Sequence, residues 1–292
     1  MFGRFALPLR LALASAALLP PARALAQTSP SHLYDRFEAS ASGTFLVLGA
    51  NIRIDGENGR GTELSIEDDL GLERSTLQPR LAFRWRPGHR HELEGSYQWA
   101  TRENGRVLTD TIVVRDTTFA AGLRINSSFG TSQGGLTYRW AFSAKENSQI
   151  GLGIGLGVIF LRSTIEALAG TTAGGPDTAI VQRSSTADFN GPVGSLGVYG
   201  RWRLGDRWYL DSDIRGIYVK ISNFRAGVLE AGLSGRYFFS DKFGAELGYG
   251  LGVYAVRLDR EGTGDGGFAG IDVTGKVSYY VNGFRIGGLY AF

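Results

Sequence analysis

The chain contains no cysteine, and only three of its 292 residues are histidine. The lack of cysteine excludes a disulfide-stapled scaffold, a thiolate metal site and a cysteine nucleophile. The three histidines, His32, His89 and His91, leave little material for a histidine-rich metal site. We therefore expect neither a metal centre nor a cofactor in this protein.

Long apolar runs are also scarce. Beyond the N-terminus, no segment has the ~18 or more continuous apolar residues that a transmembrane helix requires. The marked apolar stretch, LALASAALL at 11–19, follows Arg4 and Arg10 and precedes a small-residue ALA motif. This arrangement is typical of a secretory signal peptide. We assign residues 1–26 to a cleaved signal and residues 27–292 to the mature domain.

The sequence has only a small excess of one charge sign, and this excess disappears with the signal. The full chain carries 31 basic and 28 acidic side chains. The signal contains three of the arginines and no acid, so the mature domain carries 28 side chains of each sign. The positive charge therefore belongs to the precursor and is no evidence for a nucleic-acid partner.

What the chain does have is a two-residue alternation of apolar and polar side chains. Between Leu77 and Trp85 the odd positions are mostly apolar, whereas the even positions carry mainly polar or charged side chains. A strand with one apolar face and one charged face has this period. Similar segments follow at 91–99, 136–143, 150–160, 195–204, 208–218, 229–239 and 243–253.

A soluble β-sandwich also alternates, so the placement of the aromatic residues and the strand lengths decide between the two architectures. Aromatic side chains lie near strand ends and next to tight turns, as at Trp85, Trp140 and Trp208. This placement is typical of an aromatic belt at a membrane interface. The strands also exceed the ~5–6 residues that are usual in soluble sheets. The sequence therefore predicts an all-β transmembrane up-and-down barrel.

The connections between the predicted strands alternate between short and long. Short links are expected at 87–90, 144–148, 204–207 and 239–242, and longer ones at 55–75, 103–118, 167–191 and 259–267, with a tighter link near 222–226. Outer-membrane barrels have short periplasmic turns and longer outer loops. Four short turns, a first strand and a last strand together predict ten strands with both termini in the periplasm. The segment TIVVRDTTFAAG either extends a hairpin or adds two strands, so eight and twelve strands remain open.

The last nine residues, FRIGGLYAF, end the chain on a terminal aromatic in an alternating pattern. They closely resemble the C-terminal assembly signal of outer-membrane barrels, in which polar, glycine and two hydrophobic positions are matched here by Arg285, Gly287, Tyr290 and Phe292. Over roughly residues 33–292 the pattern resembles the Gram-negative outer-membrane β-barrel class. Within it, EDDLGLE followed by RLAFRWRPGHRHELEGSY resembles a group of uncharacterised barrels with an acidic DLGL segment.

This resemblance implies a bacterial outer-membrane location and no particular activity. It also implies contact with outer-membrane lipid and lipopolysaccharide, and insertion by the barrel-assembly machinery through the C-terminal strand. We expect no nucleic-acid partner, and the oligomeric state remains open.

The polar face of each strand is expected to line the lumen, where it carries charges of both signs. The expected lumen bases are Arg80, Arg84, Arg86, Arg139, Arg201, Arg203, Arg215, Arg236 and Arg285, and the acids are Glu92, Glu94, Asp211, Asp213, Glu230, Glu246 and Asp272. Two hairpins bring opposite signs together, Arg84 and Arg86 with Glu92 and Glu94, and Arg201 and Arg203 with Asp211 and Asp213. Because an unpaired buried charge is costly and guanidinium forks pair well with carboxylates, we expect an ion-pair network.

Two interpretations of such a lumen stay open. Small barrels are usually filled, which favours a closed structural or surface-interacting barrel. The alternative is a narrow porin-like channel whose charged wall selects small solutes. The glycine stripe GLGIGLG at 151–157 is compatible with both, because it leaves room either for a pore or for bulky arginines.

The acidic segment ELSIEDDLGLE at 63–73 is the candidate for chemistry, because paired carboxylates serve both acid–base catalysis and hard-cation binding. Its acids are Glu63, Glu67, Asp68, Asp69 and Glu73. We expect a solvated outer loop, with divalent-cation binding at Asp68 and Asp69 as the weaker alternative. Its four apolar residues are expected to pack against the barrel rim; they are Leu64, Ile66, Leu70 and Leu72.

An outer-membrane hydrolase is the third function class. The omptin proteases are similar in having ten strands, and they use aspartate and histidine at the outer face. Here Asp68 and Asp69 are expected on the outer side, whereas His89 and His91 belong to a periplasmic turn and His32 precedes the first strand. Lipid A deacylases need a histidine near a serine at the outer rim, and no histidine follows residue 91. We therefore expect no catalytic activity.

Overall fold

A computed structural model describes residues 31–55, 61–114, 117–168, 182–221, 224–258 and 274–292. The assigned signal, residues 1–26, lies outside the described residues. The described strands are β1 (Phe37–Asp55), β2 (Glu63–Ser65), β3 (Ser75–Gly88), β4 (His91–Val107), β5 (Ile112–Val114), β6 (Thr117–Phe119), β7 (Arg124–Lys145), β8 (Ser148–Leu168), β9 (Gln182–Arg203), β10 (Trp208–Ile221), β11 (Phe224–Phe238), β12 (Phe243–Leu258) and β13 (Thr274–Ala291). One 3₁₀ turn, His32–Tyr34, precedes β1. No helix within the described ranges is long and apolar enough to cross a membrane.

Ten of these strands form a closed antiparallel barrel. Each of β1, β3, β4 and β7 to β13 pairs with its neighbour in chain order, and β13 closes the ring by pairing with β1. The all-β barrel and the count of ten strands are therefore confirmed. The segment at 111–122 does not add two strands to the wall. It contains β5 and β6, which form a separate two-stranded hairpin, while β2 adds a short edge beside β1.

The alternation of the sequence separates the outer wall from the lumen. On β3, Leu77, Leu81 and Phe83 are 46–52% exposed on the outer wall. Arg84 and Arg86, at the intervening positions, point inward and are largely buried. Because lipid solvates apolar side chains and water does not, this wall is suited to a bilayer.

The height of the apolar wall matches that of a membrane. On β13, exposed Tyr280 and half-buried Tyr290 are ten residues apart. At a rise of ~3.3 Å per residue and a tilt of ~40°, they lie about 25 Å apart along the barrel axis. Outer-membrane barrels carry an apolar band of ~25 Å flanked by aromatic girdles.

The connections follow the expected order, but several strands are longer than predicted. The tight turns lie between β3 and β4, β7 and β8, β9 and β10, and β11 and β12. The predicted loop at 167–191 was too long, because β9 already begins at Gln182. The β8–β9 ladder continues far beyond the apolar band, with backbone pairing from Ser148–Trp202 to Leu168–Gln182.

The lumen is not polar along its whole length, although the polar face of each strand was expected to line it. Near the outer end, the inward positions of β7 and β8 become apolar at Ile125, Phe129, Ile159, Leu161 and Ile165. These side chains join one buried cluster with inward residues of β1, β12 and β13 on the other side of the ring. The main apolar core therefore fills the half of the lumen next to the long connections, which we call the outer half because outer-membrane barrels carry their long loops outside. The charged residues lie nearer the tight turns, at the end that we call periplasmic for the same reason.

Candidate functional site: the barrel lumen

The periplasmic half of the lumen is organised around Glu92, whose side chain is 1% exposed. Its carboxylate accepts hydrogen bonds from Arg86 Nε at 2.8 Å, Arg139 Nη1 at 2.6 Å and Arg201 Nη2 at 2.8 Å. Arg84 Nε lies 3.3 Å away and adds a fourth ion pair. Several guanidinium groups on neighbouring inward faces offset the cost of burying this charge.

Two further carboxylates extend this ion-pair cluster. Glu94 pairs with Arg80 Nη2 at 2.8 Å, Arg84 Nη2 at 3.0 Å and Arg139 Nη1 at 2.9 Å. Glu38 on β1 accepts from Arg84 Nη1 at 2.8 Å and from Arg236 across the closing seam of the barrel. Glu38 was not among the expected lumen acids, although its even-numbered position on β1 matches the inward parity of Leu46 and Leu48.

Of the two ion pairs expected across the second hairpin, the structure brings one together and not the other. Arg201 Nε lies 3.4 Å from Asp211, which also lies 3.5 Å from Arg236. Arg203 does not reach Asp213. It pairs with Asp206 at 3.4 Å, because it lies at the end of β9 beside the turn that carries this aspartate.

A polar cavity of about 160 Å³ adjoins the ion-pair cluster on the side of the outer half of the lumen. Arg215 spans part of its wall and pairs with Glu230, while Asp213 lies 3.9 Å from Arg215. Glu246 Oε1 and Arg285 Nε are buried and have no hydrogen-bond partner among the described residues. The cavity has room for on the order of ten water molecules, which would satisfy such groups. Asp272, the remaining predicted lumen acid, lies outside the described residues.

The acidic segment 63–73 closes the outer mouth of the lumen, and we call it the outer plug. Leu64, Ile66, Leu70 and Leu72 are each at most 3% exposed and join the apolar cluster of the outer lumen. The backbone anchors the plug to β1, since Ile66 N–H donates to the Ala50 carbonyl at 2.9 Å. The expected rim contact is therefore an insertion into the lumen.

Glu67 fixes the outer plug to the barrel wall. Its carboxylate accepts from Arg102 Nη1 on β4 at 2.6 Å and from the Ala50 N–H on β1 at 2.8 Å. Both side chains of the Glu67–Arg102 pair are at most 4% exposed. Glu67 therefore is not part of a solvated loop, because the acidic loop turns this side chain inward onto a buried arginine.

The other acids of the plug go to separate partners. Asp68 pairs with Arg74 at 2.7 Å on the exposed surface, and this hydrogen bond together with the negative charge raises the pKa of Arg74. Asp69 accepts from the Ser65 N–H at 2.7 Å, and Glu63 lies 3.2 Å from Lys276. Within the described part of the chain, no three histidine or acidic side chains converge in a way that could hold a metal ion.

The histidines lie at the opposite, periplasmic end. The His32 ring stacks on Phe238 at 3.7 Å, and its Nδ1 lies 2.7 Å from Asp35. His89 contacts the ring of Tyr34, whose pKa is raised by burial. The turn His32–Tyr34 packs through its buried Leu33 on Tyr209 and Phe238 and closes this end. Thus no described histidine lies beside Asp68 or Asp69.

The glycine stripe serves close contact between strands. A side chain at Gly151 would place its Cβ 2.2 Å from the Trp140 carbonyl and 2.6 Å from the Tyr199 ring. At Gly157 the nearest atom, the Gly134 carbonyl oxygen, would be 2.6 Å away. Gly153 is the roomier position, with Arg139 Cγ at 3.6 Å. The space left by the absent side chains at Gly151 and Gly157 is therefore occupied by neighbouring backbone and, at Gly151, by the Tyr199 ring, so it does not widen a pore.

The residues of the C-terminal motif lie at the seam that closes the barrel. Phe292 exchanges backbone hydrogen bonds with Phe37 at 3.0 and 3.2 Å, and the two rings stack at 5.5 Å. Tyr290 lies 5.4 Å from the Phe292 ring. A side chain at Gly287 would meet Ser42 Cβ at 2.5 Å. Arg285 faces the lumen cavity.

No protein-family model and no curated protein matches the chain. Among solved structures, it resembles the outer membrane protease OmpT from Escherichia coli, with a TM-score of 0.55 at 11% identity over 91% of this chain and 99% of that one. The attachment invasion locus protein Ail of Yersinia pestis gives a TM-score of 0.33 at 12% identity over 88% of this chain and 99% of Ail. The toluene transporter TodX of Pseudomonas putida gives 0.33 at 8% identity over 91% and 92% of the two chains. The TM-scores for Ail and TodX are too low to bear on the fold. The similarity to OmpT, at 11% identity, shows the fold alone. The chain has the closed ten-stranded fold of an outer-membrane β-barrel protein.

Proposed function

We propose that this protein is an integral barrel of the bacterial outer membrane with a sealed lumen and a structural or surface-interacting role. The observation that carries the proposal is obstruction at three levels. The turn around Leu33 fills the periplasmic end, the arginines around Glu92 fill the next layer, and the outer plug fills the other end. A solute that crossed the lumen would have to displace a buried ion pair and an apolar cluster.

The location and the partners are part of the same proposal. An exposed apolar band of about 25 Å is suited to outer-membrane lipid and lipopolysaccharide. The C-terminal motif at the barrel seam is suited to recognition by the barrel-assembly machinery. Export by a cleaved signal at residues 1–26 would bring the chain to this compartment.

The test is the conductance of the purified, folded barrel in planar bilayers. We expect a silent bilayer, while heat-modifiable migration on gels verifies that the inserted protein is folded. Discrete conductance steps from the folded protein would overturn the sealed-barrel proposal.

The polar cavity of about 160 Å³ supports a second candidate, the narrow channel for small solutes. This candidate requires the outer plug to leave the lumen. If it is right, the wild-type barrel should give measurable conductance steps. Replacing residues 63–73 by a glycine–serine linker should make those steps larger. Silence in both proteins would reject the channel.

A hydrolase is the least supported candidate. Among the described residues, four acids of the outer plug have lysine, arginine or backbone partners and no histidine, namely Glu63, Glu67, Asp68 and Asp69. Expression should therefore leave lipid A acyl chains and added peptides intact. Loss of acyl chains or peptide cleavage, abolished by substitutions at Asp68 and Asp69, would contradict this expectation.

A further inference from the structure

The neighbouring strands β9 and β10 separate from each other near the outer end of the barrel. Their ladder stops at the pair of Leu196 and Gly216. Beyond this pair, β9 stays paired with β8 and β10 stays paired with β11. Among the described residues, no other strand pairs with the two edges that face each other there. We call the space between residues 191–195 of β9 and residues 217–221 of β10 the side gap.

The sequence of β9 is suited to this open edge. The Arg203 N–H donates to the Asn147 carbonyl on the side of β8. The Leu204 N–H donates to the Trp208 carbonyl on the side of β10, so even-numbered residues of β9 direct their N–H groups towards β10. Pro192 has this parity and no N–H. The proline therefore removes a donor that would otherwise be unpaired in the side gap.

The side gap lies at the outer limit of the apolar band. On β10, Trp208 is 55% exposed and Tyr218 is 67% exposed on the outer wall. They are ten residues apart, as are Tyr290 and Tyr280 on β13, so Tyr218 marks the outer limit of the band. The side gap begins between Gly216 and Tyr218. Because unpaired backbone groups are costly in lipid, an opening at this level requires polar partners.

A second separation in the wall is filled by the chain itself. On the outer side, the β3–β4 ladder ends at the pair of Arg80 and Gln98. There the outer plug lies against β4, since the Glu73 carbonyl accepts from Arg102 Nη1 at 3.0 Å. The plug therefore closes this separation, and the side gap lies elsewhere on the ring.

The Ile217 side chain lies across the side gap. Its Cδ1 is 3.5 Å from the position that a Cβ at Gly194 would take. On the lumen side lies a cavity of about 50 Å³, whose wall includes Val193 and Ser195 of β9. One water needs ~10–15 Å³ of such space, so the cavity has room for roughly four non-hydrogen atoms. Movement of one isoleucine would therefore connect the membrane with this cavity.

The cavity offers neutral polar groups, because its charged side chains are already paired. Arg215 contacts Glu230, and Arg80 lies 2.8 Å from Glu94. The neutral polar side chains of the cavity wall are Ser96, Gln98, Gln133, Thr137 and Ser195. An uncharged headgroup that donates and accepts hydrogen bonds would therefore fit here without breaking an ion pair.

We propose that the side gap admits the headgroup of an uncharged, single-chain amphiphile from the outer leaflet of the membrane. The headgroup forms hydrogen bonds in the cavity, while the apolar chain lies between β9 and β10 and reaches the lipid beside Tyr218. A single chain matches a gap that one isoleucine spans. This inference rests on the proposed membrane location. It goes beyond the sealed lumen, because the ligand enters from the side and does not cross the barrel.

The experiment uses a single thiol in the cavity of the full-length, folded barrel. The chain has no cysteine, so Thr137→Cys supplies its one thiol. Phosphatidylcholine vesicles that contain this barrel are treated with dodecyl methanethiosulfonate, an uncharged single-chain reagent that partitions into lipid. Sulfonatoethyl methanethiosulfonate carries the same reacting group without the chain and reports access from water. Mass spectrometry measures the rate of thiol modification.

Two pairs of variants in the T137C background locate the path. V193F adds bulk to the cavity wall beside the side gap, and its control V158F adds the same bulk on the lipid side of β8. I217A removes the side chain that spans the gap, and its control I214A makes the same change within the paired part of β10. Heat-modifiable migration verifies that each variant is folded.

We expect the dodecyl reagent to modify T137C and the sulfonated reagent to leave it unmodified. V193F should slow the dodecyl reaction at least about fivefold, since overfilling a packed site costs this much or more in occupancy. I217A should accelerate the reaction at least about fivefold, because truncating a packed isoleucine weakens the closed state. V158F and I214A should react like the T137C parent.

A folded T137C barrel that the dodecyl reagent leaves unmodified would overturn the proposal, and so would equal rates in V193F and V158F. If V193F does not fold, the I217A and I214A pair decides, and equal rates in these two would overturn the proposal. Equally fast modification by the sulfonated reagent would also overturn it. That result would show that water reaches the cavity along the lumen, and it would refute the sealed barrel as well.

Discussion

Glu67→Ala should release the outer plug from the lumen. The substitution removes the carboxylate that Arg102 contacts at 2.6 Å and leaves the Ala50 N–H without its acceptor at 2.8 Å. Removing one partner of a buried ion pair costs about 3–5 kcal/mol, because the remaining charge stays buried and uncompensated. If the plug undocks to relieve this cost, its undocked population rises roughly 100-fold to 5,000-fold.

The absence of cysteine makes this population measurable. In a Leu70→Cys background the single thiol would be as buried as Leu70, which is 2% exposed, and only undocking would open it to a membrane-impermeant maleimide. We expect the Glu67→Ala barrel to label at least 100-fold faster than its L70C parent, since labelling follows the undocked fraction.

The matched control comes from the next residue in the chain. Asp68 and Arg74 form an exposed pair with side chains 67% and 54% exposed, and such pairs contribute about 0–1 kcal/mol. Asp68→Ala should therefore change the labelling rate by less than about fivefold. Equal labelling of the Glu67→Ala and Asp68→Ala barrels would refute the argument that a buried ion pair holds the plug.

Three further predictions concern the wall and the ion-pair cluster. Glu92→Ala should lower the free energy of unfolding by at least about 3 kcal/mol, because four arginines lose their common partner. Urea titrations of the micelle-bound barrel measure this loss. A loss below about 1 kcal/mol, as we expect for the exposed Asp188→Ala control, would contradict the prediction. Gly151→Ala should reduce the heat-modifiable yield, while Gly153→Ala should not, since only the first Cβ would overlap the Trp140 carbonyl, at 2.2 Å; equal yields would show that the strands adjust. Deleting Phe292 removes two seam hydrogen bonds and the Phe37 stack, so we expect a reduced folded fraction in outer-membrane preparations, and unchanged insertion would count against an assembly role for this residue.

The barrel could be predicted from the sequence because its signals are local. A period of two is visible within a few residues, as in the run from Leu77 to Trp85, and tight turns separate one such run from the next. The pairing of Arg84 and Arg86 with Glu94 and Glu92 followed from one hairpin. The count of ten strands followed from the alternation of short and long links.

The division of the lumen into an apolar outer half and a charged periplasmic half could not be predicted from the sequence. It depends on inward residues that several strands contribute together, and no single strand shows it. From Val158 to Leu161 the sequence is apolar at every position, so the alternation disappears where the lumen changes character. The inward residues there are Ile159 and Leu161. The buried role of Glu67 depends on Arg102, which is distant in sequence and comes near only when β3 and β4 pair beside β1 and the plug turns inward. A hint was present, since Arg102 shares the even-numbered parity of Glu92 and Glu94 on β4.

The apolar half of the lumen explains why an acidic segment has an apolar frame. Inward side chains such as Ile125, Phe129 and Ile165 would face water in an open barrel, and exposing each would cost roughly 1.5–3 kcal/mol. The outer plug relieves this cost with Leu64, Ile66, Leu70 and Leu72. Its acids fulfil the complementary task, because Glu67 fixes the inserted segment to the wall while Asp68 forms an exposed ion pair at the surface. The apolar residues of the plug and those of the outer half of the lumen therefore require each other, because either set alone would be exposed to water.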